Sequence, residues 1–394
     1  MPPEHVPRDE TSPDLLSPVE AIRTGARRGA LRDGVALCLS GGGYRAMLFH
    51  VGALWRLNEA GWLPRLDRVS SVSGGSIAAA MLGLTWSRLE LGTAGRSAKF
   101  EELMVAPLRR IASVTIDLPA IARGLITPGT SISDRIEKSY RKHLFGKATL
   151  QDLPDRPRFV INATNMQSGA LWRFMKPYMR DYRVGQVRSP KVSLALAVAA
   201  SSAFPPFLGP VRLTIDPRDL APSDGFEDLH REPFTSEVVL CDGGVYDNLG
   251  LETAWKRYRT ILVSDAGGRL GPEPDPHSEW AGQSRRVMDL VDNQVRCLRK
   301  RQVVSSLRRG KRKGAYWGIR SDIAHFRLDD AIGCPHAATM QLAEVETRLA
   351  AMPDLLQERL INWGYAVCDA AMRKHADRKM APPAGLPYQS AGVG

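Results

Sequence analysis

The length, composition and charge of the chain exclude several classes of protein. Its 394 residues, 43% hydrophobic and 24% charged, exclude disordered and fibrous proteins and suffice for one large α/β domain or two smaller ones. The 54 Lys and Arg against 42 Asp and Glu give a formal charge of +12, which favours anionic partners such as phospholipid head groups or nucleic acid. Five scattered cysteines exclude a disulfide scaffold and indicate a reducing compartment, so we expect a cytoplasmic protein.

The N-terminal segment, residues 1–33, is predicted to be a polar lead-in with a short helix around Val19–Arg28. It contains no apolar run that resembles the core of a signal peptide. No stretch of the chain reaches the roughly 18 uncharged apolar residues that a membrane-spanning helix needs. Any membrane contact is therefore expected to be peripheral.

Two strand, loop and helix units follow the lead-in. Val35–Leu39 predicts a strand that ends at a glycine loop, and Tyr44–Ala60 has apolar residues at helical spacing. Leu66–Val72 predicts a second strand that ends at a Ser-Gly-Gly turn, and the small apolar residues of Ile77–Leu84 predict a closely packed helix. Residues 86–155 show helical patterns without obvious strands, so we expect a helical insertion there.

The next segments alternate again between strand and helix. The predicted strands are Arg158–Thr164, Glu237–Cys241 and Thr260–Ser264, the predicted helices are Val192–Ala203 and Asn248–Arg257, and Pro210–Pro233 is predicted to be an exposed loop. Strands separated by helices indicate an α/β fold, a three-layer α/β/α sandwich with a mostly parallel central sheet. Ligand chemistry in such sheets lies at the carboxyl ends of the strands.

The turn Ser71-Val72-Ser73-Gly74-Gly75 has the features of a nucleophile elbow. A sharp turn from strand to helix exposes the hydroxyl of the central serine, and only small neighbours avoid a collision with it. The helix that follows offers backbone N–H groups and the positive end of its dipole, which favour negative charge near Ser73. The alternative is that Ser73 is an ordinary helix N-cap.

The loop Gly41-Gly42-Gly43, also at the start of a helix, presents backbone N–H groups that are suited to an oxyanion hole. The loss of one such donor typically costs about 3 kcal/mol of transition-state stabilisation. Arg45 is expected either to hold this loop or to add positive potential. The alternatives are a plain tight turn or the phosphate loop of a nucleotide-binding unit.

A serine nucleophile needs a base, and none of the eight histidines is a convincing one. His50 lies within the first helix, where a packing role is expected. Asp242 ends a predicted strand and precedes Gly243 and Gly244, so we expect it at the same sheet edge as Ser73, where partial desolvation makes a carboxylate a stronger base. The alternative is a turn in which the Asp242 side chain bonds its own backbone.

Taken together, these three turns resemble the patatin-like phospholipase family. The matching segments are Gly41-Gly42-Gly43-Tyr44-Arg45-Ala46, Ser71-Val72-Ser73-Gly74-Gly75, Asp242-Gly243-Gly244, Ser201-Ser202-Ala203-Phe204-Pro205-Pro206 and Tyr246-Asp247-Asn248-Leu249-Gly250, which span about residues 35–268. Two departures concern Ser71 and Ala46, which stand where the family usually has glycine. Both replacements are small, so they strain the geometry without excluding it.

The resemblance implies a lipid acyl hydrolase of the phospholipase A type that uses no metal and no cofactor. Ser73 would form an acyl-enzyme, Asp242 would act as the base, and Gly42 and Gly43 would donate to the oxyanion. The substrate would be a phospholipid or another acyl lipid at a membrane surface, and transfer of the acyl group to another acceptor is a variant of the same chemistry. No pattern indicates an oligomeric state.

The resemblance also divides the chain. Residues 34–268 would form the catalytic core, with a helical cap at 86–155, and residues 269–380 would form a helical and basic part packed on it. Residues 381–394 would be a flexible tail. The ten basic residues of Arg296–Arg320 would either contact an anionic membrane or form a solvated helix face.

Another interpretation is a non-catalytic protein on a patatin-like scaffold that binds lipid or nucleic acid. Intact Ser73 and Asp242 argue against a scaffold without activity. The chain has no zinc-finger spacing and no aromatic RNA-recognition motif, so net charge alone supports nucleic acid, and we expect no such partner.

Overall fold

The computed structural model describes residues 31–117, 132–205, 208–222 and 228–394. The predicted helix around Val19–Arg28 lies outside these residues. No helix in the described ranges combines the length and the apolar character that a bilayer crossing requires.

The described residues form one mixed sheet of eleven strands. The strands are β1 Arg32–Leu39, β2 Leu66–Ser71, β3 Arg158–Asn165, β4 Leu171–Phe174, β5 Tyr178–Asp181, β6 Gly185–Arg188, β7 Val211–Thr214, β8 Leu220–Ala221, β9 Glu237–Asp242, β10 Tyr258–Asp265 and β11 Lys313–Gly318. Their order is β11-β10-β1-β2-β3-β4-β5-β6-β8, with β9 paired to β3 and β7 paired to β9.

The centre of the sheet is parallel. Strands β11, β10, β1, β2 and β3 run parallel to one another, whereas β4, β5 and β6 continue the sheet as an antiparallel meander and β8 pairs antiparallel with β6. The predicted α/β fold with a largely parallel central sheet is therefore confirmed, and the antiparallel meander explains why the sheet as a whole is mixed.

Ten α-helices are present in the described part of the chain. They are α1 Gly43–Glu59, α2 Gly74–Thr85, α3 Ala106–Ala112, α4 Ile132–Tyr140, α5 Leu194–Ser201, α6 Gly244–Asp247, α7 Glu252–Trp255, α8 Trp280–Arg308, α9 His336–Glu344 and α10 Asp354–Ala371. Short 3₁₀ turns lie at Leu63–Arg65, Trp86–Leu89, Leu150–Asp152 and Ile323–Phe326, and π turns lie at Glu101–Val105, Arg141–Phe145 and Met372–Ala376. Between residues 86 and 155 the described elements are all helical.

Helices cover both faces of the parallel part of the sheet. Along β1, Leu37 and Leu39 belong to the larger hydrophobic core, while Ala36 and Cys38 belong to a second, smaller core. The larger core includes side chains of α1, α2 and α10, and the smaller core includes side chains of α7 and Val303 of α8. Alternate side chains of one buried strand therefore meet helices on opposite sides, as a layered α/β protein requires.

The structure corrects the predicted helix Asn248–Arg257. Only the single turn α7 lies within this range, α6 ends at the residue before it, and Gly250 between the two turns has a φ of +63°. The carboxylate of Asp247 accepts hydrogen bonds from the N–H groups of Leu249 (3.2 Å) and Glu252 (2.7 Å). One N–H group follows α6 and the other begins α7. In one continuous helix both groups would have bonded backbone carbonyls, so the Asp247 side chain stabilises the break between the two turns.

Three further expectations are corrected, two of them at the edges of the sheet. The predicted loop Pro210–Pro233 contains β7 and β8, and β7 pairs antiparallel with β9. The basic part after residue 269 was expected to be helical, yet it also contributes β11, which extends the sheet beside β10. The tail 381–394, expected to be flexible, lies against α10, because the side-chain amide of Asn362 bonds the backbone of Tyr388 and Gly392 at 2.7 to 3.0 Å.

Candidate active site

Strands β2 and β9 bring Ser73 and Asp242 together by sharing one flank of β3. Ile161 of β3 pairs with Ser71 of β2, and Ala163, two residues later, pairs with Asp242 of β9. Strand β4 occupies the opposite flank along this stretch, so β2 and β9 lie end to end on the same side. Because β2 is parallel and β9 antiparallel to β3, their carboxyl ends meet, and the two predicted catalytic side chains lie where they meet.

The direction of β9 differs from the sequence-based expectation. Asp242 was expected at the shared carboxyl edge of parallel strands, but β9 runs antiparallel to β3 and to β7. A short apolar run predicts a buried strand without encoding its direction. The convergence of Ser73 and Asp242 therefore arises from two strand ends that face each other.

Ser73 adopts a strained backbone conformation between β2 and α2, with φ 52° and ψ −123°. A non-glycine residue in this region costs about 1–3 kcal/mol and persists only where its surroundings enforce it. Ser73 occupies the N-cap position of α2, yet its side chain makes no capping hydrogen bond. Its side chain instead lies close enough to the carboxylate of Asp242 to lower the pKa of that carboxylate. The side-chain contacts therefore favour the elbow interpretation over the ordinary N-cap.

The end of α5 ties the serine turn to the aspartate turn. The hydroxyl of Ser201 accepts a hydrogen bond from the Ser73 N–H (3.0 Å) and donates one to the carbonyl of Asn162 (2.6 Å). Two residues later, the carbonyl of Ala203 accepts the N–H of Asp242 (3.0 Å). Ser201 belongs to a segment that carries the family resemblance, but its role follows only from the fold.

The glycines of the serine turn are required by close packing against the glycine loop. A Cβ atom at Gly74 would lie 2.0 Å from the carbonyl oxygen of Gly43, and one at Gly75 would lie 2.6 Å from that of Leu39. Neither backbone contact leaves room for a side chain. Ser71, in contrast, has an ordinary φ, and its buried hydroxyl bonds Ser76 at 3.0 Å, so a side chain fits at this position.

The glycine loop approaches Ser73 from the end of β1. A Cβ atom at Gly41 would lie 3.1 Å from the Cβ of Ser73. The Gly41 N–H donates to the carbonyl of Asn248 (3.0 Å), which corrects the expectation that Gly41 supplies an oxyanion donor. The N–H groups of Gly42 and Gly43 make no hydrogen bond to any described residue, so these two are the candidate donors of the loop.

Arg45 anchors the glycine loop from within. Its side chain is only 3% exposed, and its guanidinium donates to the carbonyls of Ala266 (3.0 Å) and Val345. Burial lowers the pKa of this guanidinium to about 10, so it stays charged at neutral pH. Of the two roles expected for Arg45, its contacts support the holding of the loop.

Asp242 is a buried carboxylate with an unusually high pKa. Burial raises that pKa to about 7, and the nearby charge of Asp292 adds to the effect, while the hydrogen bond from the Gly244 N–H and the nearby hydroxyl of Ser73 oppose it. The Gly244 N–H lies 2.6 Å from Oδ1 of Asp242. A Cβ atom at Gly243 would lie 2.3 Å from the carbonyl oxygen of Asn162, which explains the glycine there. The backbone turn and the contact with Ser73 thus coexist.

His50 has the packing role expected of it. The imidazole is fully buried, with Nδ1 2.8 Å from the Ser264 hydroxyl and Nε2 2.9 Å from the Ser40 carbonyl oxygen. Burial lowers the pKa of His50 to about 4, so it is neutral near pH 7. Both ring nitrogens are occupied by other partners, and this histidine is therefore not available to Ser73.

Solved structures of known proteins give distant similarities. Human GIVD cytosolic phospholipase A2 in complex with methyl gamma-linolenyl fluorophosphonate is 14% identical, with 86% of this chain and 57% of that chain covered and a TM-score of 0.48. VipD from Legionella pneumophila is 15% identical, with 85% and 66% covered and a TM-score of 0.33. The chain thus spans less than two thirds of the length of these structures. The comparison with curated proteins finds no match.

A family model matches the part of the chain that contains the candidate active site. The model described as Patatin-like phospholipase matches residues 37–255, which is more than half of the chain. The matched range begins within β1, contains the glycine loop, the serine turn and the aspartate turn, and ends within α7. The chain therefore belongs to the patatin-like phospholipase family.

Proposed function

We propose that this protein is a lipid acyl hydrolase in which Ser73 is the nucleophile and Asp242 the general base. The observation that carries the proposal is the proximity of the Ser73 side chain to a buried carboxylate whose pKa is raised to about 7. A carboxylate with that pKa accepts a proton near neutral pH far better than an ordinary aspartate does. The family consists of serine acyl hydrolases, and its members act on acyl lipids, which supports a phospholipid or a related ester as substrate.

In the first half of the proposed reaction, Asp242 takes the proton of the Ser73 hydroxyl as Oγ attacks the ester carbonyl. The carbonyl oxygen becomes an anion, and the N–H groups of Gly42 and Gly43 and the N-terminus of α2 are the nearby groups of suitable polarity to receive it. As the tetrahedral intermediate collapses, the protonated Asp242 returns its proton to the departing alcohol. The acyl group remains on Ser73 as an ester.

In the second half, a water molecule replaces the alcohol. Asp242 removes one of its protons while the water oxygen attacks the acyl carbonyl, and the same glycine loop receives the negative charge. Collapse of this second intermediate breaks the bond to Ser73, whose oxygen regains a proton from Asp242. The products are a free fatty acid and the regenerated enzyme, and the cycle needs no metal or cofactor.

The decisive experiment is product analysis. Purified protein incubated with mixed phospholipids is expected to release fatty acids and lysophospholipids, measured by mass spectrometry, and to react with a fluorophosphonate at Ser73. Release of neither product, together with an unlabelled Ser73, would overturn the proposal and leave a scaffold that binds without catalysis. A shift in DNA mobility that is sensitive to salt, without hydrolysis, would favour the nucleic-acid interpretation.

The pH dependence follows from the raised pKa of Asp242. Only the ionised carboxylate accepts the serine proton, so kcat/KM for a neutral, soluble ester should rise through pH 7. We expect a value at pH 5 that is about 100-fold lower than at pH 8, with a single ionisation between. A profile that stays flat from pH 5 to pH 8, in protein that remains folded, would contradict Asp242 as the base.

Substitution of Gly43 by alanine tests the oxyanion loop. Gly43 has a φ of +59°, and a Cβ atom there would lie 2.4 Å from the carbonyl oxygen of Arg348. The loop must therefore shift, and we expect kcat to fall about 100-fold, as for the loss of one oxyanion donor. The matched control is Gly146→Ala, because Gly146 has a φ of +54° with no atom within 4 Å of the added Cβ. Equal activity of the two variants would contradict a role of the glycine loop in oxyanion stabilisation.

A further inference from the structure

Exposed large apolar side chains are concentrated on helix α8. Of the eleven such residues in the described part of the chain, six lie on this helix: Trp280, Val287, Met288, Leu290, Val291 and Leu298. Trp280 is 81% exposed, and Val287, Val291 and Leu298 are each more than half exposed. A concentration of this kind on one element marks a contact surface, whereas single exposed apolar residues do not.

The exposed apolar residues of α8 form a stripe. Trp280, Val287, Val291 and Leu298 are separated by seven, four and seven residues, the spacing that places side chains on one side of a helix. We call these four residues the apolar stripe. They lie on the side that faces away from the protein, because the opposite side carries the residues that contact the core, including the buried Val303.

The inner side of α8 is fastened to the edge of the sheet where the candidate active site lies. Arg296 donates to the carbonyl of Gly268 (3.0 Å), and the Lys300 ammonium lies 2.7 Å from the carboxylate of Asp265 at the end of β10. Asp292 lies near enough to Asp242 to raise the pKa of that carboxylate. A surface that docks on the outer side of α8 would therefore lie over the edge that carries Ser73.

The charge of α8 indicates which kind of partner the apolar stripe contacts. The helix has two acidic residues, Asp289 and Asp292, and seven basic ones: Arg285, Arg286, Arg296, Arg299, Lys300, Arg301 and Arg308. Arg286, Arg296, Arg299 and Lys300 are paired with carboxylates. Arg301 and Arg308, with Arg309 just beyond the helix, are exposed and form no ion pair with a described residue. A long helix with an exposed apolar stripe and surplus cations is suited to an anionic lipid surface.

We propose that the apolar stripe of α8 docks this protein on anionic membranes, with the stripe inserted among the lipids and Arg301, Arg308 and Arg309 against the phosphate groups. The proposal rests on the proposed function, because docking in this orientation brings a lipid acyl hydrolase to its substrate. Two further exposed apolar residues lie beside the aspartate turn: Val245 in α6, and Phe204, which follows the Ala203 carbonyl that accepts the Asp242 N–H.

Vesicle binding tests the docking surface without catalysis. Ser73→Ala protein, which does not digest the lipid, is sedimented with vesicles of phosphatidylcholine or of equimolar phosphatidylcholine and phosphatidylglycerol. We expect binding to the anionic vesicles, weakened by salt. Val287→Asp/Val291→Asp in this background should bind about tenfold more weakly or worse. The matched control is Leu355→Asp, which places a carboxylate at another apolar helix position that is 49% exposed and should bind normally.

Activity in the otherwise unaltered enzyme separates docking from catalysis. Val287→Asp/Val291→Asp should react with a soluble fluorophosphonate and hydrolyse a soluble ester at the unaltered rate, but hydrolyse anionic vesicles about tenfold more slowly. If the unaltered enzyme is neither labelled nor active, the proposed function fails, and the sedimentation result still judges the docking surface. Normal vesicle binding by the double variant would overturn the docking proposal. Equal binding of the unaltered protein to both vesicle types would also overturn it. The same holds if the unaltered protein is a dimer, and the double substitution dissociates the dimer without weakening vesicle binding.

Discussion

Ser73→Ala is expected to lower the hydrolysis of acyl esters by about 10⁴-fold or more and to abolish labelling by a fluorophosphonate. The reason is that the Ser73 side chain lies beside the carboxylate of Asp242, the proposed acceptor of its proton, and alanine has no hydroxyl to attack the ester. The measurement is kcat/KM for a soluble ester, with labelling followed by mass spectrometry of the peptide that contains residue 73. The fold should persist, because alanine keeps the backbone hydrogen bond to Ser201.

Two companion variants make this result specific. Ser113→Ala alters an exposed serine at the end of α3 and should leave activity and labelling unchanged. Ser73→Gly should be as inactive as Ser73→Ala, yet more stable by about 1 kcal/mol, because glycine adopts a φ of 52° without strain. Chemical denaturation measures that difference. A Ser73→Ala variant that retains activity would contradict the assignment of Ser73 as the nucleophile. So would a fluorophosphonate label attached to another residue of the unaltered enzyme.

The elements that could be predicted from the sequence are those whose signal is local. The strands β1, β2, β3 and β10 are short apolar runs that end at glycine or small polar residues, and the structure places them within a few residues of the predicted bounds. The predicted helix Asn248–Arg257 does not form. The Asp247 side chain accepts the N–H of Glu252 at the start of α7, and Gly250 before that turn has a positive φ. Apolar spacing continues across such a break, so periodicity alone does not reveal it.

The candidate site was predictable in its residues but not in its assembly. The turns around Ser73 and Asp242 can be recognised in the sequence because they combine strand ends with glycine. The direction of β9, in contrast, depends on its pairing with β3 and β7. The bond of Ser201 to the Ser73 N–H and that of Gly41 to Asn248 join residues that are more than a hundred positions apart. No local pattern encodes such contacts, which is why Gly41 and Ser201 take roles that the sequence did not indicate.

Asp242→Asn is expected to lower kcat/KM by about 10³-fold or more at pH 8, because the amide cannot accept the serine proton. Asparagine keeps the size of the side chain and an oxygen for the Gly244 N–H, so the turn should survive. The matched control is Asp247→Asn, which alters another buried carboxylate with a raised pKa that bonds only backbone N–H groups in the structure. The control should retain activity within a few-fold of the unaltered enzyme.

The same substitution should stabilise the fold at high pH. The pKa of Asp242 in the folded state, about 7, lies above the ordinary value of 3.8, so its contribution to stability is full below pH 3.8 and is lost as the pH rises through 7. At pH 8 the unaltered enzyme carries an ionised, buried carboxylate, whereas the variant carries a neutral amide. We expect the Tm of Asp242→Asn to exceed that of the unaltered enzyme by about 2 °C or more at pH 8, and this difference to shrink as the pH falls toward 4. An active variant would contradict a buried base at this position. So would a Tm difference between the variant and the unaltered enzyme that is smaller at pH 8 than at pH 5.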